Sequence, residues 1–254
     1  METEFCDFNH PSIQKLSHEI CGKLHSDRDK AVALYYWVRD NTLYRIGIWN
    51  RKASETLYEM EGTCTNKANL LIALLRANNI PAAYGMYKVK GQQYFGDANF
   101  MGKFVNKVSN HIYSLVYLDK WIAIDASDDC WLSRSMQHII PQAKELHFDG
   151  IKDAKLHLDP EHILSEEAPI ANIDYVFRKK PRHGGLLLTV GNLWLKYFRE
   201  TKRSFSSYEE LKECCLYYLK MHHPLYYPPI MVLLKLKDFQ LKMQRIYQLS
   251  FSRK

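Results

Sequence analysis

The sequence predicts an α+β fold, and three observations carry that expectation. Apolar residues recur at helical spacing through most of the first eighty positions. Strand-like composition then takes over at Ala82–Lys90, His111–Leu118 and Trp121–Ala126. A Gly62-Thr63 break opens the last helix before that change and sets a cysteine in its first turn. Helices followed by an antiparallel sheet, rather than helix and strand in alternation, make the class α+β.

The elements follow in order. Ser12 to Leu24 places Ile13, Leu16, Ile20 and Leu24 on one helical face, with Gly22 weakening its end. Ser26 with Asp29 three residues on forms an N-terminal capping pair. Ala31, Leu34, Tyr35 and Val38 then line a second helix running to about Arg39. In the third, Thr63 is the N-cap, Cys64 opens the first turn, and Ala68, Leu71, Ile72 and Leu75 form the apolar face. Asn78-Asn79 supplies the stop, and Ile80-Pro81 does not continue a helix.

Ala82–Lys90 reads as a strand closed by Gly91, and 91–110 as a polar loop. His111–Leu118 and Trp121–Ala126 read as two strands of one hairpin turning at Asp119-Lys120. The basic run Arg178 to Arg182 before Gly184-Gly185 suggests a boundary near 180, dividing a 1–180 domain from a helical 181–254 extension packed on it. The extension holds an apolar stretch at Leu186–Phe198, a helix capped by Ser207 with Glu210 at its third position, and a turn region from His222 to Pro229. A last helix from Ile230 carries six basic residues against Asp238, leaving +5 of the net +7. A solvated face is the commoner reason for such a run; a surface for an anionic partner is the other.

Composition narrows the classes. With 254 residues, 46% apolar and 25% charged, the chain is one large domain or a domain with an appendage, and disorder, collagen-like repeats and coiled coil are excluded as descriptions of the whole. A net charge of +7 is modest, and no nucleic-acid partner is expected from it. Met1 to His10 shows no basic-then-apolar leader, and no apolar stretch approaches the ~18 residues of a membrane span. Six cysteines without a CxxC pair argue against a cysteine zinc site and, in a chain of this size, for reduced thiols in the cytoplasm. No metal and no cofactor are expected.

Three residues suggest chemistry. A cysteine in a helix's first turn feels unpaired N–H groups and the positive end of the dipole, which favour the nucleophilic thiolate. Attack on a carbonyl then needs a proton shuttle, and an acid to orient it. Cys64, His111 and Asp125 are the candidates, in that order along the chain. Strand parity tests whether the last two meet. A two-residue turn at 119–120 pairs Leu118 with Trp121, sets His111 opposite Asp128 and turns Asp125 to the other face. A three-residue turn over 118–120 pairs Tyr117 with Trp121 and makes His111 and Asp125 diagonal neighbours, ~7–8 Å apart at Cα. Sequence leaves the register open, with Asp128 as the reserve acid.

These residues resemble the transglutaminase-like superfamily of papain-like cysteine enzymes, in the form of a bacterial-type domain. The match runs from Gly62-Thr63-Cys64 through Ala68, Leu70-Leu71 and the stretch Ala73-Leu74-Leu75-Arg76-Ala77-Asn78-Asn79-Ile80-Pro81-Ala82. It continues through Asn110-His111-Ile112-Tyr113 and Val116-Tyr117-Leu118 to Trp121-Ile122-Ala123-Ile124-Asp125, so it covers about 28–130, roughly 40% of the chain. The family pattern is G-x-C…A…LLRA-x-GIPA…H-x-W…W-x-x-x-D. Here Ala83 stands for a frequent Arg, Asn79 for Gly and Tyr113 for Trp. The chain has no loop like the calcium sites of animal transglutaminases and no CxxC pairs as in peptide N-glycanases. The resemblance implies a papain-like core, a Cys64–His111–Asp125 triad and a peptide or protein substrate.

Each residue has a plainer reading: Cys64 as a small buried hydrophobe, His111 as a satisfied core histidine, Asp125 as a turn cap. Trp49 could join the Cys64 N–H in an oxyanion site, or simply pack. His222-His223 reads as loop rather than metal site. The expected activity is amide hydrolysis through an acyl-Cys64 intermediate, of protease, amidase or deamidase type. Protein-glutamine crosslinking, an acyltransferase of the arylamine type, and a non-catalytic binding module remain as alternatives.

Overall fold

A computed structural model describes residues 1–91, 108–140, 143–156, 158–179, 185–236 and 239–240. The elements are α1 (Pro11–Cys21), α2 (Asp27–Asn41), β1 (Leu43–Tyr44), α3 (Ala53–Glu59), β2 (Glu61–Gly62), α4 (Cys64–Ala77), β3 (Ala82–Lys90), β4 (Val108–Leu118), β5 (Lys120–Ile124), α5 (Cys130–Met136), β6 (Ile163–Ile170), α6 (Asp174–Phe177), α7 (Leu186–Thr201) and α8 (Tyr208–His222). Residues 227–236 are helical as well. The class is α+β.

The sheet is antiparallel in the order β5-β4-β3-β6, and β1 pairs with β2 in a separate parallel ribbon. Helix α4 lies against β4 and β3, with α1, α2 and α3 packed around it. This central placement explains why every residue from Thr65 to Leu75 is buried, polar ones included, where periodicity alone predicts one apolar face. Ile72, Leu75, Tyr84, Ile112, Val116 and Ile124 belong to that core.

Local chemistry accounts for the helix ends. The Ser26 hydroxyl accepts the Asp29 amide, as the capping pair predicts, and Ala31, Leu34, Tyr35 and Val38 face inward from α2. Helix α1 stops at Cys21, so Leu24 falls beyond it. The strand over 82–90 has the predicted bounds, whereas β4 begins at Val108, inside the stretch read as loop. Most of that loop, 92–107, lies outside the described residues.

Tyr117 pairs with Trp121, and Leu118 with Lys120 across Asp119 alone. Asp119 takes φ 65°, a left-handed conformation that aspartate tolerates better than most residues, so the tight turn needs no glycine.

A second apolar cluster gathers Val190, Trp194 and Phe198 of α7, Leu211, Cys215 and Leu219 of α8, and Ile230 and Leu234. Met136, Ile140 and Ala143 complete it from the earlier part of the chain. The C-terminal helices therefore share a core with residues before 180. Most of the basic tail lies outside the described residues. No helix among the described residues is long and apolar enough to cross a membrane.

Candidate active site

Cys64 is the first residue of α4. Its position is held by a reciprocal cap: Thr63 Oγ1 accepts the Asn66 amide, and Asn66 Oδ1 accepts the Thr63 amide at 3.0 Å. The Asn66 side chain also donates to the Trp49 carbonyl at 2.7 Å, fixing the 49–51 turn against the helix start. Gly62 is required just before the cap, because a Cβ there would lie 2.6 Å from Asn66 Cβ. The half-buried Cys64 thiol thus sits at the positive end of α4.

His111 and Asp125 come together from the two strands beyond. Extending the observed register by one pair sets Asp125 opposite Tyr113, so His111 and Asp125 are diagonal neighbours as the three-residue turn requires. His111 Nε2 lies 2.6 Å from Asp125 Oδ2, with both side chains buried. Asp125 Oδ1 accepts the Ser127 amide at 3.0 Å, and the Asp125 amide donates to the Ala154 carbonyl at 2.8 Å. The carboxylate is therefore held on both oxygens and through its backbone.

Electrostatics follow from these contacts. Burial alone would push the Cys64 thiol up, but a hydrogen bond with His111, the charge of that ring and the Ile112 amide together hold it below the ordinary thiol value. With Nε2 engaged by Asp125, Nδ1 is the ring nitrogen left for the sulfur. Burial likewise acts against an ionised Asp125, and His111 and the Ser127 contacts outweigh it, so Asp125 stays below the usual carboxylate range. Asp128, the reserve acid, is pushed up to about 6 by burial and by the negative charges of Asp125 and Asp129. It makes no ion pair within 4 Å among the described residues.

Trp49, the oxyanion candidate, lies just before the α4 cap. Its indole N–H donates to the Val176 carbonyl at 3.2 Å, and its carbonyl accepts from the Asn66 side chain of the α4 cap. The start of α4 also presents unpaired main-chain N–H groups on the side of Cys64. His222 ends α8, and the His223 ring lies 3.4 Å from the Tyr218 hydroxyl. No group of metal-binding side chains occurs among the described residues. A groove of about 690 Å³ runs between residues 43–48, Glu61 and the α7 face around Leu188 and Asn192.

Residues with no part in the sequence reading also meet here. Asp129 caps α5, accepts the Tyr44 amide at 3.1 Å and pairs with Arg199 of α7 at 2.6 Å. Lys67, fully buried, donates to the Thr42 carbonyl at 2.5 Å. Its one sequence signal is a lysine four residues before Leu71, on the apolar face of α4.

A first-turn cysteine on a central helix, with a histidine and an aspartate from neighbouring strands, defines the class of papain-like α+β folds. Residues 14–126 match the profile of the transglutaminase-like superfamily. At the level of the superfamily this is the fold of cysteine-dependent enzymes. Among solved structures, the chain is similar to an inferred cysteine protease from Cytophaga hutchinsonii, at 25% identity and TM-score 0.39, covering 50% of this chain and 40% of that one. It is also similar to an inferred protease from Parabacteroides distasonis (17% identity, TM-score 0.34, covering 48% and 24%). A third is a TGase (20% identity, TM-score 0.31, covering 48% and 31%). The match thus spans well under half of each of those chains. No curated protein matches significantly.

Proposed function

We propose that this domain is a cysteine-dependent acyl-transfer enzyme that hydrolyses an amide bond of a peptide or protein, with Cys64, His111 and Asp125 as its triad. The observation that carries this reading is the continuous polar chain from the helix-capped thiol through His111 to a doubly held Asp125. In the proposed cycle the Cys64 thiolate attacks the carbonyl carbon, and the oxyanion is met by the Cys64 N–H. The intermediate collapses as His111 gives its proton to the departing amine. Water then attacks the thioester, His111 takes a proton from it, and the carboxylic acid leaves as the thiolate re-forms. Asp125 holds the imidazole in one tautomer and supports its charge. The division into a 1–180 catalytic part and a 181–254 extension belongs to the same proposal, and the second core shared across that boundary supports the packing of the extension on the first part.

Selective alkylation tests the reading. Iodoacetamide at pH 6 should label Cys64 before the other five cysteines, and His111→Ala should slow that labelling at least tenfold. Labelling led by another cysteine, or unchanged in His111→Ala, removes the basis of the proposal. An amine acceptor in place of water would turn the same acyl-enzyme to crosslinking. Adding a primary amine to a turning-over reaction and weighing the products measures that partition.

A further inference from the structure

Asp125 lies one residue past the end of the β4–β5 ladder, whose last pair is Ser114 with Ile124. Its backbone is held by a short strap, residues 153–155, that runs parallel to the end of β5. The Ala154 carbonyl accepts the Asp125 amide at 2.8 Å, and the Ala154 amide donates to the Ala123 carbonyl at 2.8 Å. The Asp153 carboxylate accepts the Ala123 amide at 2.9 Å, and the Asp125 carbonyl accepts the Tyr35 hydroxyl at 3.3 Å. His111 is fixed differently. The β3–β4 ladder is continuous from Ala82 to Lys90 and pairs His111 with Tyr87. How firmly the acid meets the imidazole therefore depends on the anchorage of this strap as well as on the two ladders.

The next residue of the strap supplies an anchor. Lys155 reaches over the sheet face turned away from α4, where Tyr87 and Tyr113 belong to a separate apolar cluster. Its ammonium stands 5.1 Å from the Tyr87 ring centre and 5.3 Å from that of Tyr113. It also donates to Glu166 Oε1 of β6 at 3.1 Å, and the Tyr113 hydroxyl donates to the same oxygen at 2.5 Å. The two ring centres are 5.1 Å apart. Tyr113 lies so closely over Gly85 that a Cβ there would fall 2.1 Å from its ring. Tyr87 is the cross-strand partner of His111, and Tyr113 follows His111 by two residues on the same face. One ammonium thus joins the strap that holds Asp125 to the aromatic pair beside His111 and to the edge strand β6. The rings are buried, but 28% of the Lys155 side chain is exposed, so losing the contact leaves a folded chain to measure.

We propose that Lys155 is a positioning residue of the His111–Asp125 pair: its contacts with Tyr87, Tyr113 and Glu166 lock the 153–155 strap, and with it Asp125, against the strand that carries His111. This inference rests on the acyl-transfer reading of Cys64, His111 and Asp125. Lys155 acts through the main chain of the strap rather than on a reacting atom. With the clamp released, Asp125 spends less time within hydrogen-bond distance of the ring. The imidazolium then loses support, and the thiolate it stabilises is depleted.

The rate of Cys64 alkylation by iodoacetamide at pH 6, read by mass spectrometry on the full chain, tests this without a known substrate. Lys155→Met should slow it roughly three- to tenfold, the scale of a part-exposed ion pair with its ring contacts. Lys155→Arg, which keeps the charge and stacks on the same rings, should restore most of the rate. In a His111→Ala background, Lys155→Met should change the rate by less than ~twofold, because the clamp acts through that ring. An equal slowing in both backgrounds, or one that arginine does not relieve, would mean general loosening around the thiol. An unchanged rate with a lower Tm would make Lys155 a structural residue. Either result overturns the proposal. Should Lys155→Met fail to fold, Glu166→Gln removes the same ion pair from a side chain that is 40% exposed, and is read in the same way. A wild-type rate unmoved by His111→Ala sinks the acyl-transfer reading and this one with it. A rate that falls with His111→Ala and not with Lys155→Met sinks this one alone.

Discussion

Arg199 and Asp129 form a 2.6 Å ion pair that joins α7 to the loop carrying Asp125. The carboxylate side is fully buried and also accepts the Tyr44 amide, while Arg199 donates to the Tyr44 carbonyl. Three parts of the chain distant in sequence therefore meet at the guanidinium of Arg199, whose partner Asp129 is four residues from Asp125.

Arg199→Met should cost ~2–4 kcal/mol in urea unfolding, because it leaves a buried carboxylate without its partner. Burial opposes ionisation of Asp129, and Arg199 is the main reason it stays below the usual carboxylate range. Adding Asp129→Asn to Arg199→Met should return part of the loss, since the double variant buries no uncompensated charge. A single variant within ~0.5 kcal/mol of wild type would mean the pair is only a surface contact.

Cys64→Ala should abolish turnover and alkylation at that position while changing stability by less than ~1–2 kcal/mol. The thiol is half-buried at a helix end and fills little core. Thermal unfolding distinguishes the roles: a large fall in Tm with an unchanged rate would make Cys64 a packing residue.

His111→Ala and Asp125→Ala should be non-additive in kcat/KM. Members of a triad act as a unit, so the double variant should be scarcely slower than His111→Ala alone. Multiplying effects would remove Asp125 from the mechanism. Asp128→Ala should be much milder than Asp125→Ala, because Asp128 lacks the 2.6 Å contact with His111.

Much of this was readable from residues alone, for reasons specific to each element. The caps at Ser26 and Thr63 and the strand at 82–90 are local signals, and they recur in the structure with their bounds nearly unchanged. The hairpin register was not readable, because it turns on Asp119 adopting a left-handed conformation that composition only permits. Strand β6 lies on the sheet edge with mostly exposed side chains, which leaves no alternating pattern to find. Asp129 and Arg199 are 70 residues apart and ordinary in sequence; only the packing of α7 makes them partners.

The pH dependence of stability should show Asp128. Its folded value of about 6 lies above the ~3.9 of an unfolded aspartate, so the folded chain binds this proton more tightly. The stability this group contributes is complete below pH ~4 and is lost as pH rises through about 6. Asp128→Asn should then exceed wild type by ~1–2 kcal/mol at pH 7, allowing for its partial exposure, and match it at pH 4. An equal gain at both pH values would place the effect in packing rather than charge.

Deleting 230–254 tests how the extension is attached. Ile230 is fully buried and Leu234 nearly so, both in the cluster that Trp194, Phe198 and Leu219 build with Met136 and Ile140. Losing them removes two large aliphatic side chains from that core, a cost of ~3–6 kcal/mol on the scale of large-to-small core substitutions. Because the cluster adjoins α7, and α7 holds Asp129, the truncation should lower solubility and loosen the Asp125 loop as well. The expected outcome is aggregation or a strong fall in Tm, with Cys64 alkylation still favoured over the other cysteines in whatever remains folded. A truncated chain that stays monomeric, soluble and as stable as the full one would make 230–254 an independent appendage, and its basic residues would then be read as a surface for an anionic partner.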